Sequence, residues 1–144
     1  GLITDLRKLD APLPAISLVA VADHDAPIGH VMLTHAWLDC WDGLVDVMAL
    51  SPLGVMPDHQ RQGIGTALIR RGLEAADARS VPMVFLEGDD RYYGPRGFDC
   101  AVPFNISRPS LRIPERAFQV RPLGSYAPSL TSTGNMRSDS TANR

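Results

Sequence analysis

The run LVDVMALSPLGVMPDHQRQGIGT, Leu44 to Thr66, decides how the rest of the chain is read. It opens as an apolar stretch rich in Val and Leu, of the length of a buried strand. It then passes through Pro52 and Pro57 and closes on Gln60-Arg61-Gln62-Gly63-Ile64-Gly65, ahead of a strongly patterned helix. Strand, glycine-bearing loop and helix start thus follow one another. Glycines let backbone come close to a ligand, and the first N–H groups of a helix lack carbonyl partners within it, so the junction offers donors to an anion. A phosphate or pyrophosphate is the expected guest.

Working backward, Ala15 to Ala22 (AISLVAVA) reads as a buried strand, Asp23 to Pro27 as turn, and Gly29 to Trp37 as a second strand completing a hairpin. A loop at Asp39 to Gly43 leads into the third strand, Leu44 to about Leu53. Its far end should bend or bulge, because Pro52 cannot donate to a ladder and Gly54 follows. Leu2, Leu6 and Leu9 recur at helical spacing, predicting a turn or two of helix that Pro12 and Pro14 end.

Working forward, Gly63 to Arg79 predicts a helix with Leu68, Ile69, Gly72, Leu73 and Ala76 on one face and Arg70, Arg71, Glu74 and Asp77 on the other. Val81 to Glu87 is a further buried strand, so the order is a βαβ unit, with a right-handed crossover. Gly88 to Phe98 has room for at most one helical turn before Pro95 and Gly97. Cys100 to Phe104 and Ala117 to Leu123 read as a closing pair of strands joined by the loop Asn105 to Arg116. The fold class is α/β, with a mixed sheet. Residues 1–130 form one domain, and the polar, aperiodic residues 131–144 are expected to be disordered.

The chain of 144 residues is of single-domain size and long enough for a real core. A net charge of −2 supplies no field to hold a polyanion, so nucleic acid is not an expected partner. Arg108, Arg112, Arg116 and Arg121 are interspersed with Pro and apolar residues and read as a solvated loop face. Cys40 and Cys100 lie too far apart in sequence to suggest a metal or redox pair; two free thiols and no metal are expected. There is no apolar run of the roughly 18 residues a membrane span needs, nor a basic-then-apolar leader, so a cytoplasmic location is expected. The chain opens on Gly1 within what reads as the end of a helix, which raises the expectation of an earlier segment.

Leu53 to Leu68 resembles motif A of the GNAT superfamily of acyl-CoA-dependent N-acetyltransferases, whose core is (Gln/Arg)-x-x-Gly-x-(Gly/Ala) after a strand. Tyr93-Gly94-Pro95-Arg96-Gly97-Phe98 resembles the Tyr-x-x-x-Gly-Phe of the family's motif B, and the doubled Tyr92-Tyr93 is similar to a bacterial subgroup with a very short helix there. The resemblance runs from about Gly1 to Thr131. It implies a GNAT-like acyl-CoA N-acyltransferase fold, without the first strand and first helix that family members carry ahead of the element at Gly1 to Leu9. It also implies acetyl-CoA as co-substrate and transfer of acetyl to a primary amine of a small molecule or protein.

The resemblance assigns roles. Backbone amides of Arg61, Gln62, Gly63, Ile64, Gly65 and Thr66 would hold the CoA pyrophosphate, with the Arg61 side chain and Thr66 hydroxyl as extra donors. The plainer alternative is a helix start whose glycines only allow close packing. Leu53, Gly54 and Val55 would present main-chain groups to the pantetheine arm, which requires the sheet to splay after Leu53. Tyr93, chosen over Tyr92 by its register to Gly97-Phe98, would protonate the departing thiolate. For a base, Asp46 and Glu87 stand first, with His30 and His35 beside them, each equally readable as a structural strand residue. Trp37 and Trp41 would line an acceptor pocket or simply pack in the core.

Two rival readings use the same residues. A dinucleotide-binding oxidoreductase would use Gly63-x-Gly65 and Glu87, but Leu68 stands where a third glycine belongs and the strand end lies too far from the glycines for a tight turn. A non-catalytic acyl-CoA binding or sensing module would keep Gln60 to Thr66 without needing Tyr93. The acceptor amine is not legible, and a homodimer is open to such a chain.

Overall fold

The computed structural model describes residues 2–5, 13–40, 43–131 and 135–138. Its strands are β1 (Leu2–Asp5), β2 (Ile16–Val21), β3 (Pro27–Cys40), β4 (Gly43–Val55), β5 (Met83–Glu87), β6 (Asp99–Cys100), β7 (Phe118–Pro122) and β8 (Asn135–Ser138). Two α-helices accompany them, α1 (Ile64–Ala78) and α2 (Asp90–Tyr93). The sheet order is β1-β2-β3-β4-β5-β7-β6, with β8 beside β3. Of the described pairings only β4 with β5 is parallel, as the βαβ reading requires, and the rest are antiparallel.

Strand alternation and helix periodicity combine to make the main core. Ile16 and Leu18 of β2, Val31 and Leu33 of β3, Met48 and Leu50 of β4, and Val84 and Leu86 of β5 are buried together with Leu68, Ile69, Leu73 and Ala76 of α1. Gly72 lets the helix sit low on the sheet: a Cβ there would stand 2.9 Å from Leu33 Cδ1. A second core gathers Ala36, Leu38, Val47, Met83, Phe85, Phe118 and Val120, with Phe85 stacked on Phe118 at 5.6 Å. Ala101, Ile106, Phe104 and Tyr126, from turns and loops, join this second core.

Several expectations are corrected. Leu2 to Asp5 is a strand and not a helical turn, paired with Leu18 to Val21; an open sheet edge outweighs a short leucine spacing. Leu6 and Leu9 lie outside the described residues. The second strand of the hairpin runs on to Cys40, and the loop expected at Asp39 to Gly43 shrinks, since Asp39 pairs with Leu44 and Cys40 with Gly43. Cys100 to Phe104 yields only the two-residue β6, because Val102 to Phe104, with Pro103 at its centre, turns as a 3-10 helix. Within the tail expected to be disordered, Asn135 to Ser138 pairs with Ala36 to Asp39. It occupies the edge of β3 beyond the end of β2, whose pairing stops at Ile16 with Leu33, and unpaired strand edges are templates of that kind.

The bend foreseen in β4 is a bulge. Val31 faces Leu53 and Leu33 faces Leu50, so β4 carries one residue more than β3 across Ser51-Pro52. The extra residue resets the alternation. Met48 and Leu50 face α1 before it, and Leu53 and Val55 pack on the same core after it.

Truncating Leu68, fully buried under the helix, should cost about 2–5 kcal/mol in a denaturant melt, whereas Leu111→Ala, at an 86% exposed position, should stay within about 0.5 kcal/mol of the parent.

Candidate active site

The site begins where two strands part. β4 and β5 pair only at Met48 with Val84 and Ala49 with Phe85, yet β4 continues to Val55 and β5 to Glu87. The splay therefore starts before the bulge, four residues sooner than the expected point after Leu53. A cleft of about 560 Å³ lies beside the end of β4, lined by Leu53, Gly54, Val55, His59, Gln60, Arg61, Gly63, Ile64, Gly65, Thr66, Asp89, Tyr92, Tyr93 and Arg96. All the anticipated strand-end residues and all the anticipated cradle residues except Gln62 are among them.

The loop between β4 and α1 is shaped by named contacts. Pro57 to His59 makes a 3-10 turn, and Gln60 Nε2 donates to Val55 O at 3.1 Å, folding the loop back on the strand it left. Arg61 and Gly63 both take left-handed backbone, φ 65° and 81°. Gly63 is the residue before the helix, and no side chain caps the first turn. The N–H groups of that turn thus keep their donors for a guest, with the positive end of the helix dipole behind them.

Gly63 and Gly65 are glycine for different reasons. At Gly63 a Cβ would meet nothing within 4 Å, so the requirement is the positive φ. At Gly65 the backbone is ordinary helix, but a Cβ would sit 2.3 Å from the Tyr92 hydroxyl. The close-packing alternative raised from the sequence therefore holds for Gly65 and not for Gly63.

Tyr92 and Tyr93 enter from α2, whose start is capped by Asp89 accepting from Arg91 N at 2.9 Å. Tyr93 meets Tyr92 edge-on at 4.9 Å and Phe98 edge-on at 5.9 Å. Burial pushes its phenol above the usual value, Tyr92 adds to this, and Arg96 opposes it. The Asp89 carboxyl is held below its ordinary range by the hydrogen bond from Arg91.

Arg96 is the residue that sequence reasoning missed. Its guanidinium stacks 3.6 Å above the Tyr92 ring, donates from Nε to Thr66 Oγ1 at 3.0 Å and from Nη1 to Tyr92 O at 2.5 Å. It therefore ties the motif B turn to the first turn of α1 and carries a cation into the cleft. The sequence signal was its place inside Tyr-x-x-x-Gly-Phe, where only the tyrosine was weighed. His59 and Asp89 also line the cleft and were not singled out.

The candidate bases fall elsewhere. Asp46 pairs with His35 Nε2 at 2.7 Å, its side chain 64% exposed, with Trp37 against the imidazole at 4.3 Å. Glu87 ends β5 in an exposed position. His30 shares a 3.0 Å hydrogen bond with Ser17 Oγ and borders a separate apolar hollow with Pro27 and Met56. None of the four lines the cleft. Trp41 lies outside the described residues. Among the described residues no cluster of His, Cys, Asp and Glu is arranged to hold a metal, and no helix is long and apolar enough to cross a membrane.

Residues 4–97 match the family model described as the acetyltransferase (GNAT) family. A curated relative, the uncharacterized N-acetyltransferase YjhQ of Escherichia coli K12, is 35% identical over 104 residues, 69% of this chain. The chain spans about half of that relative, 55% of its length. The crystal structure of the GNAT family N-acetyltransferase YhbS from Escherichia coli, in complex with CoA, aligns over 90% of this chain and 69% of its own with TM-score 0.76 and 26% identity. A GNAT family acetyltransferase from Brucella melitensis in complex with acetyl-CoA shares the fold, with TM-score 0.64 and 24% identity over 88% of this chain and 68% of its own.

The contact between Gly65 and Tyr92 generates a paired test. Gly65→Ala should destabilise the parent by about 1–3 kcal/mol in urea melts. In a Tyr92→Phe background, where the nearest ring atom is 3.7 Å away, it should be close to neutral.

Proposed function

Because the chain belongs to the GNAT acetyltransferase family, whose model it matches over more than half its length, we propose that it is an N-acetyltransferase. It would move an acetyl group from acetyl-CoA to a primary amine of a small molecule or protein by direct attack. The observation that carries this reading is the single cleft that gathers the parted end of β4, the α1 cradle and the Tyr93 ring. CoA in the YhbS crystal structure and acetyl-CoA in the Brucella protein support the choice of guest.

The residues present fit that guest. The free first-turn N–H groups, the open space over Gly63 and the guanidinium groups of Arg61 and Arg96 suit a pyrophosphate. From Leu53 to Val55, β4 stays paired with β3 but has parted from β5, and that second edge offers main-chain donors and acceptors to an extended amide-bearing arm, in the manner of an added strand. Acetyl-CoA supplies an activated acetyl thioester. Main-chain N–H at Gly54 or Val55 would polarise its carbonyl for the neutral amine; as the C–N bond forms and the C–S bond breaks, Tyr93 gives its proton to the departing sulfur, and the proton shed by the amine nitrogen passes to the Tyr93 phenolate or to solvent. Burial raises the pKa of Tyr93, which keeps that proton in place through neutral pH.

None of the four candidate bases borders the cleft, and this reading gives His59 and Asp89, which do, no role on the amine, so the amine arrives already neutral from solution. A lysine-like amine is neutral in about one molecule per thousand at pH 7. The logarithm of kcat/KM should then climb with a slope of about one per pH unit, up to the amine's own pKa. A plateau beginning well below that pKa would mean that the protein supplies a base.

Calorimetry with CoA and with NAD, followed by CoA-release assays over a panel of amines, tests the function itself. CoA binding with turnover is expected. Binding of NAD alone would overturn the reading, and CoA binding without turnover on any amine would leave an acyl-CoA binding module. Tyr93→Phe should lower turnover by about a hundredfold or more, while CoA affinity stays within about twofold.

A further inference from the structure

Among the described residues, Gln119 Oε1 is the buried side-chain atom that lacks a hydrogen-bond partner. Gln119 is only 1% exposed and sits mid-strand in β7, opposite Leu86 of β5 and Cys100 of β6. Leu86 belongs to the core under α1, so Gln119 faces the same side as that helix and Phe98. A Leu or Met would fill this place without stranding an oxygen, and burying an unpaired carbonyl is a cost to the fold. The amide is there for its other atom.

That atom, Nε2, donates to the carbonyl of Gly88 at 3.0 Å. The N–H of Gly88 donates to Ala117 O at 2.9 Å. The first residue beyond β5 is thus held at its N–H by Ala117, the residue before β7, and at its carbonyl by Gln119 of β7, one step past the last strand pair, Glu87 with Phe118. Tyr93 stands directly on this residue: a Cβ on Gly88 would lie 2.7 Å from Tyr93 Cε2 and 3.1 Å from Cδ2. The next carbonyl, of Asp89, accepts from the N–H groups of both Tyr92 and Tyr93 at 3.0 Å.

We propose that Gln119 is a positioning residue for Tyr93, holding the Gly88 carbonyl so that the phenol stands at a fixed depth in the cleft. The inference rests on the reading of Tyr93 as the proton donor. Phe98 and Tyr92 meet the ring edge-on and set its tilt; the floor under it is Gly88, which among the described residues the Gln119 amide and the Ala117 carbonyl hold to the sheet. Displacement of a reacting group by about 1 Å costs up to about a hundredfold in rate, so a single amide hydrogen bond at this point controls turnover more than stability.

Gln119→Met keeps the volume and removes the donor together with the orphan oxygen. The expected result is a melting temperature within about 4 °C of the parent, a KM for acetyl-CoA within about twofold, and a kcat lowered by about tenfold to a hundredfold. In a Tyr93→Phe background the same substitution should cost no more than about twofold further, because the group it positions is gone. A loss repeated in full in that background, or a raised KM with unchanged kcat, would overturn the inference. Gly88→Ala approaches the ring from below and should reproduce the fall in kcat, which keeps the test open if Gln119→Met does not fold; wild-type turnover in Gly88→Ala would count against it.

If Tyr93→Phe keeps full turnover, the proton-donor reading falls by itself, and NMR titration of the Tyr93 phenol carries the test instead. Tyr92 and Arg96 are the titrating and charged groups that act on this phenol, and both are retained. A midpoint moved back toward the ordinary phenol range in Gln119→Met supports the inference. An unmoved midpoint overturns it.

Discussion

The structure turns on the failure of β4 and β5 to stay paired. Parallel neighbours ordinarily bond along their shared length, yet here the ladder holds only at Met48 and Ala49. Beyond it Ser51-Pro52 introduces one residue too many and removes one N–H, so β4 cannot both keep its register with β3 and follow β5. The sheet satisfies β3 and leaves the other edge of β4 unbonded. Unbonded strand edge inside a sheet is costly unless something fills it, and that makes the gap a place for a strand-like guest.

The second constraint is how tightly the flanking pieces are tied to that gap. Gln60 returns the loop to Val55, Arg96 bridges Thr66 and Tyr92, and Gln119 fastens Gly88. These contacts join residues 5, 30, 4 and 31 apart in sequence, so both local turns and long-range packing contribute to one cleft. Arg96 is the most economical of them, because one planar fork serves a hydroxyl, a carbonyl and an aromatic face together.

How much of this was legible depended on range. The cradle could be read because strand end, prolines, glycines and helix start are consecutive, and each has its own backbone requirement. Tyr93 could be read because Gly97 and Phe98 fix its register. The edge strands β1 and β8 were not legible: their short segments carry no apolar run, and what makes them strands is the open edge of a neighbour, which only the assembled sheet reveals. Asp46, Glu87, His30 and His35 failed as cleft residues for a related reason. Residue type nominated them, but the direction each strand takes, and the bulge that resets alternation in β4, place them along other parts of the sheet.

Gln119 shows the same limit in a sharper form. In sequence it stands between Phe118 and Val120 as an unremarked polar residue in an apolar strand, and alternation alone would assign it to an exposed face. The face is not exposed: Gln119 is 1% exposed, and its cross-strand neighbour Leu86 belongs with Phe98 to the core under α1. A buried amide with one bond made and one left unmade is unfavourable by the rules that build a core, and a purely structural β7 would do better with an aliphatic side chain. The bond that is made reaches the one carbonyl on which the depth of Tyr93 depends. Local composition therefore locates the groups that meet the guest, whereas the groups that set their distances are found by asking which buried atoms the core would be better without.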